Sequence, residues 1–121
     1  MSDLVVKAEA VAGQAYAPYS NYPVGAAVLA RDGTVVEGVN VENAAYPLGV
    51  CAERTALSAA VVAGYRPGDL EAVAITASPC GGCRQWIFEW RIPSVSFRRN
   101  DGTIATYAAA DLLPDGWKFP E

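Results

Sequence analysis

Histidine is missing from all 121 residues. Its absence excludes Ser/His/Asp and Cys/His nucleophile arrangements and every zinc motif that depends on imidazole. Proton transfer near neutral pH then falls to a carboxylate, thiol, lysine, tyrosine or metal-bound water. Cysteine is scarce, with three residues; an odd number cannot all pair with one another, and so apolar a chain has little need of disulfides, so reduced thiols are expected. No apolar run approaches the roughly 20 residues that span a bilayer. The opening "MSDLVVKAEAVAG" carries an early acid and no basic leader, so a cytoplasmic protein without a membrane partner is expected. Basic charge is short too: nine Lys and Arg stand against thirteen Asp and Glu, and the one local basic group is Arg98 with Arg99. An extended phosphate-binding surface is therefore not expected, and a small-molecule partner suits the chain better than nucleic acid.

What is present is apolar and evenly patterned. Hydrophobic residues make up 52% of the chain, and the length suits a single domain over residues 1–121. Leu4, Val5, Ala8, Val11, Ala12 and Ala15 recur at three- and four-residue spacing, which predicts a helix from Asp3 to about Tyr16. Pro18 and Pro23 break it. "VGAAVLARDGTVVEGVNV" reads as two strands about an Asp32-Gly33 turn. Cys51 to Ala63 is a run of good helix formers closed by Gly64. "LEAVAITA" predicts a strand buried on both faces, "GCRQWIFEW" a third helix, "SVSFRRNDGTIATY" two strands about Asp101-Gly102, and "AAADLLP" a last helical piece. This order suits a three-layer α/β/α sandwich around a mixed five-stranded sheet.

On this map Cys51 opens one central helix, and Cys80 with Cys83 opens the next. Helix N-termini stabilise thiolates, the form that binds metal. Inert packing thiols and a redox dithiol are two alternatives for such a trio. A closed structural zinc site is a third, but it takes four Cys or His ligands. Three ligands with one open position are instead the pattern of a catalytic zinc, whose vacancy holds water. Glu53, two residues after Cys51, is placed to move a proton beside it. Three sulfur anions leave Zn²⁺ a weak Lewis acid, and Arg54 is the candidate for drawing charge from the sulfurs by hydrogen bonds.

"CAE" followed by "PCGGC" resembles the zinc signature of the cytidine deaminase superfamily. The stretch from Tyr16 to Leu57, with "SPCGGCRQ" and "DLLP", is similar to the free-nucleoside cytidine deaminases. The resemblance implies Zn²⁺ on Cys51, Cys80 and Cys83, with Glu53 carrying a proton from water to the ring nitrogen and then to the departing amine. It further implies Asn40 and Glu42 at the ribose, Tyr22 stacked over the base, the Ala52 backbone at the base edge, and a homotetramer serving pyrimidine salvage. The chain departs from that pattern where strand and motif join directly, and in a short tail, "LLPDGWKFPE", similar to the end of blasticidin S deaminase. Trp117 or Phe119 is the candidate for the family's missing C-terminal aromatic. Two rival expectations follow: a deaminase of a modified or antibiotic cytosine nucleoside, and a non-catalytic zinc-stabilised binding module.

Overall fold

A computed structural model describes residues 2–120. Helix α1 spans Ser2–Val11, α2 Ala52–Val62, α3 Gly81–Glu89 and α4 Ala109–Leu112; strands β1 to β5 span Gly25–Ala30, Val35–Val39, Leu70–Ile75, Ser94–Arg98 and Ile104–Tyr107. The strands form one sheet in the order β2-β1-β3-β4-β5. Only the β3–β4 pair is parallel.

Alternation along the central strands divides the interior in two. Ala26, Val28 and Ala30 of β1, with Val73 and Ile75 of β3, pack against Ala56, Leu57 and Ala60 of α2 and Ile87 of α3. Their neighbours Ala27, Ala72 and Ala74 face Leu4, Val5 and Ala8 of α1. With a helix on each side, both faces of β3 are dry, which is why its sequence reads as an unbroken apolar run. The expected three-layer sandwich is the one observed.

Helix α1 stops earlier than its apolar spacing predicts. It gives way to a 3₁₀ turn over Ala12–Gln14, and Tyr16 is drawn instead into pairing with the far end of the first hairpin. The Tyr16 N–H donates to the Asn40 carbonyl (3.0 Å), and the Glu42 N–H donates to that of Tyr16 (2.8 Å). Gly13 weakens the helix there, and two long-range bonds outweigh one more helical turn.

Gly38 sets the height of α2 above the sheet. A Cβ at this position would lie 2.3 Å from the Ala56 nitrogen and 2.5 Å from the Ala52 carbonyl oxygen, closer than any packed carbon can approach. The Thr55 hydroxyl uses the proximity to donate to the Val39 carbonyl oxygen at 2.7 Å. Gly38→Ala therefore lifts the helix that begins after Cys51. The expected result is a loss of about 1–3 kcal/mol, read from a denaturation curve, together with weaker zinc retention on dialysis. A variant with unchanged stability and zinc content would mean that α2 tolerates the shift.

Candidate active site

Two helix starts converge at one end of the sheet. Cys51 is the N-cap of α2, and Cys80 is the N-cap of α3, directly beyond the carboxyl end of β3. Cys83 sits one turn into α3, buried beneath them. The Cys83 N–H donates to Cys80 Sγ at 3.4 Å, so one sulfur takes up an otherwise unpaired helix-start donor.

The three Sγ atoms lie within 4.8 Å of one another, and no carboxylate joins the group among the described residues. Cys51 and Cys80 approach to 3.9 Å. Sulfurs bound to a tetrahedral zinc at about 2.3 Å are about 3.8 Å apart, so the spacing fits that ion with little movement. The donor set agrees, since thiolates favour zinc over the oxygen-seeking magnesium and calcium.

Electrostatics point the same way. Burial pushes the Cys83 thiol far above its ordinary range, and the Glu53 carboxylate and Cys51 add to the shift. Burial also raises Cys51, helped by the charges of Cys80 and Glu53. Cys80 is pulled the other way: burial raises it, but the Cys83 N–H, the neighbouring sulfurs and the Arg54 charge together hold it below the usual thiol value. The site thus gathers groups that resist carrying negative charge together, and a divalent cation reverses that resistance. The trio fits Zn²⁺.

Glu53 is 3% exposed, on the first turn of α2. Burial raises its carboxyl pKa, opposed by its own backbone N–H and by the Cys83 thiol. A carboxyl moved toward neutrality exchanges protons more readily at working pH. Arg54 Nη2 lies 3.6 Å from Cys80 Sγ, while its buried Nε has no partner.

A cleft of about 170 Å³ opens onto these groups, lined by Tyr22, Asn40, Cys51, Ala52, Glu53 and Cys80, with Val24, Ile75, Ala77 and Ser78 completing the wall. Arg54 and Cys83 are not in that lining. Glu42 lines a neighbouring cavity of about 370 Å³ with Tyr19, Ser20, Asn43, Tyr46 and Gly49. Asn40 is already half engaged: Oδ1 accepts from the Val24 N–H at 2.8 Å, and Nδ2 donates to the Tyr22 carbonyl at 3.0 Å. Glu42 Oε1 accepts from the N–H groups of Tyr19 (2.9 Å) and Ser20 (3.0 Å), and Oε2 from the Ser20 hydroxyl. These bonds hold the carboxyl below its usual pKa, the Ser20 hydroxyl first among the causes.

Arg84 is a residue that the thiol motif did not single out. Its guanidinium donates to the Pro79 carbonyl (3.0 Å), the Leu112 carbonyl (3.2 Å) and the Ser78 hydroxyl (3.2 Å), pinning the segment before Cys80 to α4. Nothing in its spacing signals this, because two of the three acceptors are backbone oxygens. The tail aromatics stay away from the cleft: Trp117 and Phe119 stack edge to face at 4.6 Å, and the Trp117 carbonyl accepts from Gln85 at 2.7 Å.

Comparison with known proteins follows the same lines. The cytidine and deoxycytidylate deaminase zinc-binding region matches residues 1–99. A cytidine deaminase of Sporosarcina psychrophila is 44% identical over 119 residues, covering 92% of this chain and 86% of its own length. A probable cytidine deaminase of Dictyostelium discoideum is 46% identical over 107 residues, covering 83% and 71%. The crystal structure of cytidine deaminase from Burkholderia pseudomallei superposes with a TM-score of 0.90 at 46% identity, over 96% of this chain and 98% of that one. Fold, thiol trio and sequence agree, and the chain belongs to the cytidine and deoxycytidylate deaminase zinc-binding family.

Proposed function

We propose that the protein hydrolyses cytidine and deoxycytidine to uridine or deoxyuridine and ammonia. The observation that carries this is the meeting of three sulfurs within 4.8 Å beside a cleft lined by Cys51, Cys80 and the buried carboxylate of Glu53. Cys51, Cys80 and Cys83 would hold the zinc. When bound, the ion supplies the Lewis acidity that lets water ionise near neutral pH.

The chain's own residues do the rest. Glu53 takes one proton from the attacking water and delivers it to the ring nitrogen, then carries the second, from the new C4 hydroxyl, to the departing amino group. The bond from C4 to oxygen forms, the bond from C4 to nitrogen breaks, and ammonia leaves. Arg54 draws charge from the Cys80 sulfur. Tyr22 stacks on the base, and the Ala52 backbone meets its edge. Asn40 keeps one N–H and one lone pair beyond those bound to the loop, enough to give to and take from a sugar hydroxyl. Glu42 keeps a lone pair on Oε2 to accept from a sugar hydroxyl.

The wider reading is a cytoplasmic homotetramer in pyrimidine salvage, built from a single domain over residues 1–121. Tyr46 and Leu48, 76% and 69% exposed on the loop that leads to Cys51, support self-association there. Among the described residues no helix is long and apolar enough to cross a membrane. The relatives compared favour neither the antibiotic-nucleoside nor the zinc-only alternative.

Falling ultraviolet absorbance and released ammonia on mixing with cytidine test the reaction. Asn40→Ala removes the sugar contact together with the bonds to Val24 and Tyr22: kcat/KM on cytidine falls by about 10- to 100-fold, as expected for lost hydrogen bonds, while zinc content is unchanged. Wild-type protein equally active on free cytosine would contradict any contact with ribose.

A further inference from the structure

We infer that Ser20 is a positioning residue for this reaction: its hydroxyl ties the Glu42 carboxylate to the turn that carries Tyr22, so that the sugar-facing and base-facing groups are held as one unit. The inference rests on the nucleoside reading above and adds to it a residue outside the cleft lining.

The tie is built from both sides of one oxygen. Ser20 Oγ donates to Glu42 Oε2 and accepts from the Tyr22 N–H at 3.0 Å. The same carboxylate takes the Tyr19 and Ser20 N–H groups on its other oxygen, so two successive residues deliver three donors to it. The turn that makes this possible passes through Asn21 at φ +56°, a left-handed conformation that asparagine tolerates better than most residues. The Asn21 N–H closes the turn on the Ala17 carbonyl at 3.0 Å.

Packing holds this segment only in part. Tyr19 and Tyr22 are 49% and 55% exposed, and Tyr19 meets Tyr46 edge to face at 6.4 Å. Polar links decide where Tyr22 stands, and bonds to a charged acceptor are the strongest available. Asn40 supplies the other anchor, on the carbonyl of Tyr22 and the N–H of Val24. Ser20 alone joins Glu42 to the Tyr22 N–H among the described residues. Its loss frees Glu42 Oε2 and leaves that N–H to solvent at once. Ser20 is absent from the cleft lined by Glu53, Cys51 and Cys80, so the chemical step is left intact.

The test compares Ser20→Ala with Ser20→Thr, which keeps the hydroxyl. In the alanine variant, KM for cytidine rises about tenfold, the equivalent of one lost charged hydrogen bond, while kcat stays within about twofold. Threonine restores KM to within about threefold of wild type. Backbone hydrogen exchange, measured without substrate, shows the Tyr22 amide exchanging about tenfold faster in Ser20→Ala and at the wild-type rate in Ser20→Thr. An unchanged KM, a fall in kcat equal to the rise in KM, a threonine variant no better than alanine, or an unchanged Tyr22 amide each overturns the assignment. If the wild-type protein releases no ammonia from any cytosine nucleoside, the deaminase reading falls, and the exchange comparison still decides whether Ser20 holds the turn.

Discussion

Glu53→Gln leaves zinc in place and removes turnover of cytidine by about a thousandfold or more, within the range that a positioned general acid–base contributes. Glutamine keeps the size and the hydrogen-bonding shape of the side chain but cannot accept a proton from water or return one to the amino group. Glu53 is 3% exposed, so little of the side chain is open to solvent that could take over the transfer. The carboxylate is also absent from the group of candidate ligands, which contains the three cysteines alone, so its replacement spares the metal site. The measurement is paired: zinc per chain by elemental analysis, and kcat by loss of absorbance. A variant that keeps most of its rate means that another group moves the proton. A variant that loses its zinc means that Glu53 is itself a ligand.

Cys80→Ala empties the metal site and destabilises the fold together. Cys80 is the informative choice among the three, because it is exposed whereas Cys83 is fully buried, so truncating Cys80 opens no cavity in the core. What it removes is a ligand from a site with none to spare, and the stabilisation that zinc adds by binding only the folded state. With free zinc about a thousandfold above its dissociation constant that stabilisation is about 4 kcal/mol, enough to lower the Tm of a domain this size by about 10 °C or more. A chelator added to wild-type protein reproduces the fall, and the variant no longer responds to chelator. Full zinc occupancy in Cys80→Ala would show the ligand set to be wrong.

Several parts of this architecture could be read before any coordinates, and they share a cause. The two hairpin turns are local chemistry: Gly33 and Gly102 take φ of +92° and +90°, and Asp32 and Asp101 accept the N–H groups of Thr34 and Thr103 two residues on. The buried strand β3 announces itself because both its faces are dry. Cys51, Cys80 and Cys83 were legible as a set because helix starts attract thiolates and because no histidine competes for the role. Other features depend on partners far away in the chain. Tyr16 left the helix that its neighbours favour for a pairing with Val41. Glu42, expected only at the sugar, spends both oxygens on a turn 22 and 23 residues before it. Arg84 belongs to the zinc segment's support through backbone acceptors that have no residue signature.

By itself the order of residues determined the sequence of helices and strands, the thiol inventory and the acid beside it. Each of these is set by contacts within a few positions or by composition. Only the tertiary structure decided that two helix starts separated by a strand meet with their sulfurs 3.9 Å apart, how closely α2 rides over Gly38, and which polar links seat the Tyr22 turn. Those outcomes depend on long-range packing and on hydrogen bonds to backbone, whose free energy is realised only when distant segments are held together.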